Sequence, residues 1–229
     1  MTALIAAAVF FVLLHLLVSG TRLRNTLVGV IGEGAYMGLF SLASVAGIVW
    51  LSMAYGDARG SGGVWWDAGT GARHASLVIQ LLAFLLVVPG LTTPNPTSVK
   101  QEGSLARPDV VKGMLRITRH PFLWGVVVWA AGHLLVNGDA PSLLLFGSML
   151  LLGLFGTWSI DAKRKRALGE TWDAFAAQTS NIPFAAIVSG RQKLSLGEIG
   201  WWRIALAVGL WALVLWGHER VFGVAPLSP

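Results

Sequence analysis

Apolar positions in this chain fall into six long runs separated by short polar stretches: Thr2–Val18, Ala35–Tyr55, Ala75–Leu91, Phe122–Val136, Pro141–Ile160 and Trp201–Phe222. A helix rises about 1.5 Å per residue, so runs of this length predict helices that cross about 30 Å of hydrocarbon. The fourth run is the shortest. It is joined to the fifth by Asn137-Gly138-Asp139-Ala140 alone, with Pro141 where a helix would start, which predicts a tight helical hairpin. Two other stretches place apolar and basic residues on opposite faces at helical spacing. In Asp109–Arg119, Val110, Val111, Met114 and Leu115 oppose Lys112, Arg116 and Arg119; in Asp161–Gln178, Leu168, Trp172 and Phe175 follow the run Lys163-Arg164-Lys165-Arg166. Both predict helices lying in the headgroup layer, with the basic run as a solvated anchor. The pattern as a whole predicts an all-α polytopic membrane bundle of about six spanning helices and two interfacial helices, forming one transmembrane domain over residues 1–229.

Composition narrows the function classes. Of 229 residues 55% are hydrophobic and 12% charged, against about 25% charged in soluble domains. That excludes a soluble Rossmann-type enzyme and a disordered chain. With no cysteine, zinc-thiolate, iron–sulfur and thiolate-haem sites are excluded as well. The net charge of +6 sits in the loops between apolar runs and implies contact with lipid headgroups rather than nucleic acid. Loops after the first, third and fifth runs carry thirteen Lys and Arg, against three for the other loops and the tail. The positive-inside rule then puts both termini outside, which for a bacterial inner membrane means the periplasm. No basic residue precedes the first run, so it is expected to stay attached rather than be cleaved as a signal peptide. Trp50, Trp65, Trp66, Trp129, Trp201, Trp202 and Trp216 lie near run ends and predict an interfacial aromatic belt.

Five histidines are the residues from which chemistry is expected, because a ligating or titrating group is costly inside hydrocarbon. His74 and His218 border loops, where a wet interfacial histidine is the ordinary reading, whereas His15 and His133 lie inside apolar runs and His120 opens the fourth. Intramembrane imidazoles on separate helices, with neither thiols nor a carboxylate cluster, suit a haem iron better than zinc or calcium. Arg22, Arg24, Arg116 and Arg119 would meet haem propionates at the inner edge, and Arg73 and Arg220 at the outer. Counting residues places His15 about 14 Å deeper than His133. The candidate iron pairs are His15 with His133, His15 with His120, or His133 with His74.

The block Arg119-His120-Pro121, followed after three residues by Gly125, resembles the helix opening of membrane methyltransferases of the isoprenylcysteine carboxyl methyltransferase type, which hold S-adenosylmethionine there. Their paired glutamates after the next hairpin are replaced here by Ile160-Asp161-Ala162. A fuller resemblance covers nearly the whole chain. Ile31-Gly32-Glu33-Gly34-Ala35-Tyr36, Gly113 through Pro121, His133 with its hairpin, Thr179 through Ile187 and Gly190 through Leu194 are similar to the NnrU family, which includes the 15-cis-zeta-carotene isomerases. That resemblance implies a polytopic membrane protein with haem b, acting in or alongside nitrite and nitric oxide metabolism. The alternative it implies is cis-trans isomerisation of a polyene such as 15-cis-zeta-carotene. It also implies His133 and His15 as metal ligands; His120, Arg119 and Arg116 are further cofactor-binding candidates from their place at the inner edge. Ala130 stands where the isomerases carry a cysteine one turn before the histidine, so a thiol-based ligand exchange is not available to this chain. The expected non-protein partners are membrane lipids and either nitric oxide or a polyene.

Overall fold

The computed structural model describes residues 1–227; Ser228 and Pro229, the end of the expected domain, lie outside the described residues. It is all-helical, with one isolated β-bridge, between Val64 and Asp139. Five helices are long and apolar enough to cross a membrane. They are α1 (Thr2–Leu13, continued by a π-helical stretch, Leu14–Ser19), α3 (Glu33–Ala58), α4 (Gly69–Thr92), α7 (Ala140–Leu168) and α10 (Trp201–Phe222). A sixth apolar helix, α6 (Pro121–Val136), is shorter. The shorter helices α2 (Leu23–Ile31), α5 (Met114–Ile117), α8 (Glu170–Gln178) and α9 (Ala185–Val188) lie between them in sequence.

The hairpin between α6 and α7 forms where the sequence places it. Asp139 caps α7: its carboxylate accepts from the Ser142 N–H at 2.9 Å and the Ser142 hydroxyl at 2.7 Å, satisfying a donor that the first turn leaves unpaired. The loop before α4 folds over this turn, with Trp65 N–H donating to the Gly138 carbonyl and the Trp66 indole to that of Leu134.

The two interfacial helices expected from the sequence are corrected by the structure. Asp109–Arg119 is not one amphipathic helix. Only Met114–Ile117 is helical, and Met114, Leu115 and Ile117 are buried against α8 and the segment before α10. Asp161–Gln178 divides at Gly169: Asp161–Leu168 continues the spanning helix α7, and only Glu170–Gln178 is a separate helix. Gly169 has φ +51°, a conformation costly for residues with a Cβ, so the chain turns there. The basic run is not wholly a solvated anchor either. Arg164 is buried, paired with Glu102 and donating to the Ser98 carbonyl, which straps the 92–103 loop across this end of the bundle.

Packing between spans is set by small residues, because lipid supplies no hydrophobic drive for helix association. Gly125 of α6 lies against Val87 and the Ala83 carbonyl of α4, Gly132 against Gln80 and Ile79, and Gly153 of α7 against Val127 of α6. A core of Leu4, Ala7, Phe11, Leu51, Ala54, Ala130, Phe146 and Met149 joins α1, α3, α6 and α7. Trp129, expected in the interfacial belt, packs into this core. The large apolar residues left exposed on α3 and α10, such as Leu42, Val45, Leu213 and Trp216, form a lipid-facing surface.

Candidate functional site

The sequence-predicted residues separate into three places. His133 lies in the last turn of α6, with its ring stacked on Phe146 of α7 (4.5 Å between centroids, 18° between planes) and tilted against Trp129 at 4.8 Å. Its Nδ1 is 2.9 Å from the Trp129 carbonyl and 3.1 Å from Gln80 Nε2, and Gln80 also donates to that carbonyl at 3.1 Å. Nδ1 either donates to its own helix or accepts from α4, according to its tautomer, and Nε2 makes no hydrogen bond among the described residues. Gln80, which sequence reasoning did not single out, is legible only as a polar residue inside an apolar run.

His15 occupies the π-helical stretch, a widening that often marks functional sites. Its Nδ1 lies 2.8 Å from the Phe11 carbonyl, and its ring sits between Phe11 at 4.4 Å and Phe40 at 5.3 Å. Phe40 stacks on Tyr36, whose ring lies beneath the Arg24 guanidinium. The Tyr36 hydroxyl is buried without a hydrogen-bond partner among the described residues.

The third place is a polar knot at the basic end. Arg119 grips Asp161 through Nε at 2.9 Å and Nη2 at 2.5 Å, His120 Nε2 meets the same carboxylate at 2.7 Å, and Asn181 donates to it at 3.2 Å. The backbone fixes this register. Arg119 N–H donates to the Ser180 carbonyl, Thr118 Oγ1 to that of Asn181 at 2.6 Å, and Asn95 and Thr97 side chains to the carbonyl of Arg119. His120 is 2% exposed and its Nδ1 has no hydrogen-bond partner among the described residues. One turn earlier Arg116 is committed to Glu198 through Nε at 2.7 Å and Nη2 at 2.9 Å, and to Gln192 at 2.6 Å. Glu198 also accepts from the N–H of Gly113 at 2.9 Å. The Arg116 hydrogen bonds, and then that N–H, pull its carboxyl down to about 2.

Sequence reasoning missed the acids of this knot. Asp161 stands where the methyltransferase resemblance calls for a glutamate pair, and here it neutralises the Arg-His block itself. Arg119, His120 and Arg116 are therefore occupied by carboxylates, which leaves them poorly placed to receive haem propionates. His74 and His218 make helix-terminal contacts, to the Thr70 and Val224 carbonyls at 2.9 and 2.7 Å.

The backbones of His15 and His133 lie at different levels of the bundle. His133 stacks on Phe146, whereas Gly20, five residues after His15, is level with Ser159 of the same helix α7. Phe146 to Ser159 spans about 20 Å of helix, and the step back to His15 recovers about 7 Å, leaving about 13 Å in depth. Among the described residues no group of three His, Asp or Glu side chains converges on a possible metal site.

A protein-family model described as "NnrU protein" matches residues 3–226. The chain is 28% identical over 174 residues to a protein of Zea mays named 15-cis-zeta-carotene isomerase, chloroplastic, covering 75% of this chain and 47% of that protein. It is likewise 28% identical over 198 residues to the Arabidopsis thaliana protein of the same name, covering 84% and 52%. The chain spans about half the length of these curated relatives. No solved structure gives a significant match. With a family match running from the first turn of α1 to beyond the end of α10, this chain belongs to the NnrU family.

Proposed function

We propose that the chain admits a linear polyene from the bilayer and isomerises one of its double bonds beside His133. The observation that carries this reading is the aromatic setting of that imidazole: Trp129 and Phe146 wall it, Gln80 and the Trp129 carbonyl lie at Nδ1, and among the described residues Nε2 has no hydrogen-bond partner. Rotation about a double bond requires its bond order to fall, and any positive charge placed on the polyene to achieve this is stabilised by the faces of Trp and Phe rings. The names of the two relatives support the same substrate class. Of the three glycines in α7, Gly153 and Gly156 pack against α6, whereas Gly147 has nothing within 4 Å of where a Cβ would stand among the described residues. Access near Gly147 lies one residue from Phe146, at the level of His133.

The nitrite and nitric oxide role that the resemblance implied first is carried by neither the geometry nor the relatives' names, and it becomes an arm of the test. The haem expectation rests on the intramembrane imidazoles and on the resemblance, and no step of this reading passes through it. We assign the protein to a bacterial inner membrane with both termini periplasmic, supported by the basic residues gathered at one end of the bundle.

The test is reconstitution of the purified chain in liposomes containing 15-cis-zeta-carotene, with the isomers separated by chromatography and the Soret region recorded before and after nitric oxide. Turnover that falls by about 100-fold or more in His133→Ala supports the reading. Full turnover in that variant, or no turnover from a folded protein in either redox state, overturns it. A Soret response to nitric oxide without turnover favours the nitric oxide role instead.

A further inference from the structure

At the basic end, outside the sites described above, a groove of about 480 Å³ lies between the end of α4 and the loop leading to α5. Its lining includes Leu91, Thr93, Lys100, Gln101, Ser104 and Arg107, with two cations and no carboxylate. Arg116, Arg119 and Arg164 are bound to Glu198, Asp161 and Glu102, whereas neither Lys100 nor Arg107 takes part in an ion pair among the described residues. Arg22, Lys163, Arg166, Arg191 and Lys193 at this end likewise form no ion pair among the described residues, but Lys100 and Arg107 share one groove. The nearest acids in sequence are both held by other cations, Glu102 by Arg164 and Asp109 by Lys112 at 2.6 Å, with Arg107 acting on Asp109 only through its charge. Lys100 also has φ +58°, a left-handed conformation that an ordinary side chain adopts only at a cost, and such strain concentrates at ligand sites.

The groove opens at the membrane edge. Leu91, in the last turn of a spanning helix, is 63% exposed and Val99 is 69% exposed, so apolar surface flanks the two cations. We propose that this groove binds the phosphate of an anionic phospholipid headgroup, with Lys100 and Arg107 pairing to the phosphate and the first acyl carbons lying against Leu91. A phosphodiester supplies the negative charge the lining lacks, Thr93 and Gln101 supply neutral donors, and the acyl chains continue from the exposed leucine into the bilayer.

The test is native mass spectrometry of the full chain released from detergent after equilibration with dioleoyl phosphatidylglycerol or dioleoyl phosphatidylcholine. A parallel arm titrates inorganic phosphate against thermal stability. The expected result is retention of phosphatidylglycerol over phosphatidylcholine. Retention should weaken about fivefold in Arg107→Ala and about 30-fold in the Lys100→Gly and Arg107→Ala double variant, at about fivefold per cation. Lys100→Gly removes the charge while relaxing the backbone, so a loss of lipid without a loss of stability cannot be blamed on misfolding. Lys165→Ala, removing an exposed cation already paired with Asp173, should leave retention unchanged. Equal retention of both lipids, or of phosphatidylglycerol by wild type and double variant, overturns the proposal. Stabilisation by inorganic phosphate as strong as by the lipid overturns its assignment to a headgroup.

Discussion

Asp161 is the residue whose loss should hurt this bundle most among its charged groups. It accepts from Arg119, His120 and Asn181, and the side chains of Arg119, Asp161 and His120 are 13%, 16% and 1% exposed. Asp161→Asn keeps the shape but removes the charge and turns one acceptor oxygen into a donor facing other donors. Breaking one partner of a buried pair costs 3–5 kcal/mol, and the residual exposure here argues for the lower end, about 3 kcal/mol. Taking the usual unfolding entropy of about 2.1 cal/mol/K per residue over the chain, that is a drop of about 6 °C in apparent melting temperature. Asp173→Asn is the control: Asp173 pairs with Lys165, both more than half exposed, and its loss should cost at most about 1 kcal/mol, near 2 °C. The assay is the fraction of protein that still elutes as a single species in size-exclusion chromatography after heating in detergent. The combined Arg119→Met and Asp161→Leu variant should lie closer to wild type than Asp161→Asn, because replacing both partners leaves no stranded guanidinium. Equal shifts for Asp161→Asn and Asp173→Asn would refute the claim that the knot is a buried ion-pair network.

Gly125→Val should cost about 2–3 kcal/mol or prevent recovery of folded protein, because the new Cβ meets Val87 N and the Ala83 carbonyl at 3.0 and 3.1 Å and backbone cannot yield. Gly147→Val, with nothing within 4 Å, should stay within about 0.5 kcal/mol in the same heating assay. Glu198 is held at about 2, below its ordinary 4.5, so its contribution is present above the ordinary value and is lost as pH falls through the lowered one. The melting advantage of wild type over Glu198→Gln should be about 1 kcal/mol near neutral pH, since a third of the side chain is exposed. It should fade from pH 4.5 towards 2; a constant gap across that range would contradict the linkage. The chain has no native cysteine, so a cysteine placed at Lys165 should be shielded from a membrane-impermeant maleimide in intact cells and one at Gly138 should react; the opposite pattern would invert the topology.

The sequence by itself determined the features that depend on local chemistry. Apolar runs mark the spanning helices because backbone groups in hydrocarbon must pair within their own segment. The Asn137–Ala140 hairpin follows from Asp139 and Pro141, which cap and start a helix whatever surrounds them. Family membership was legible for the same reason, since the matching blocks are contiguous. Only the tertiary structure decided which charges are neutralised. Arg119 and Asp161, or Arg116 and Glu198, are far apart in sequence, and no periodicity reveals that such groups face one another. That pairing, together with the strap from Arg164 to Glu102, explains why the stretch before α6 is tied down in the bundle instead of lying as a helix on the membrane. Depth, by contrast, needed no tertiary structure: counting along runs that cross in opposite directions already sets His15 about 14 Å deeper than His133, and the register of α1 on α7 gives about 13 Å in depth.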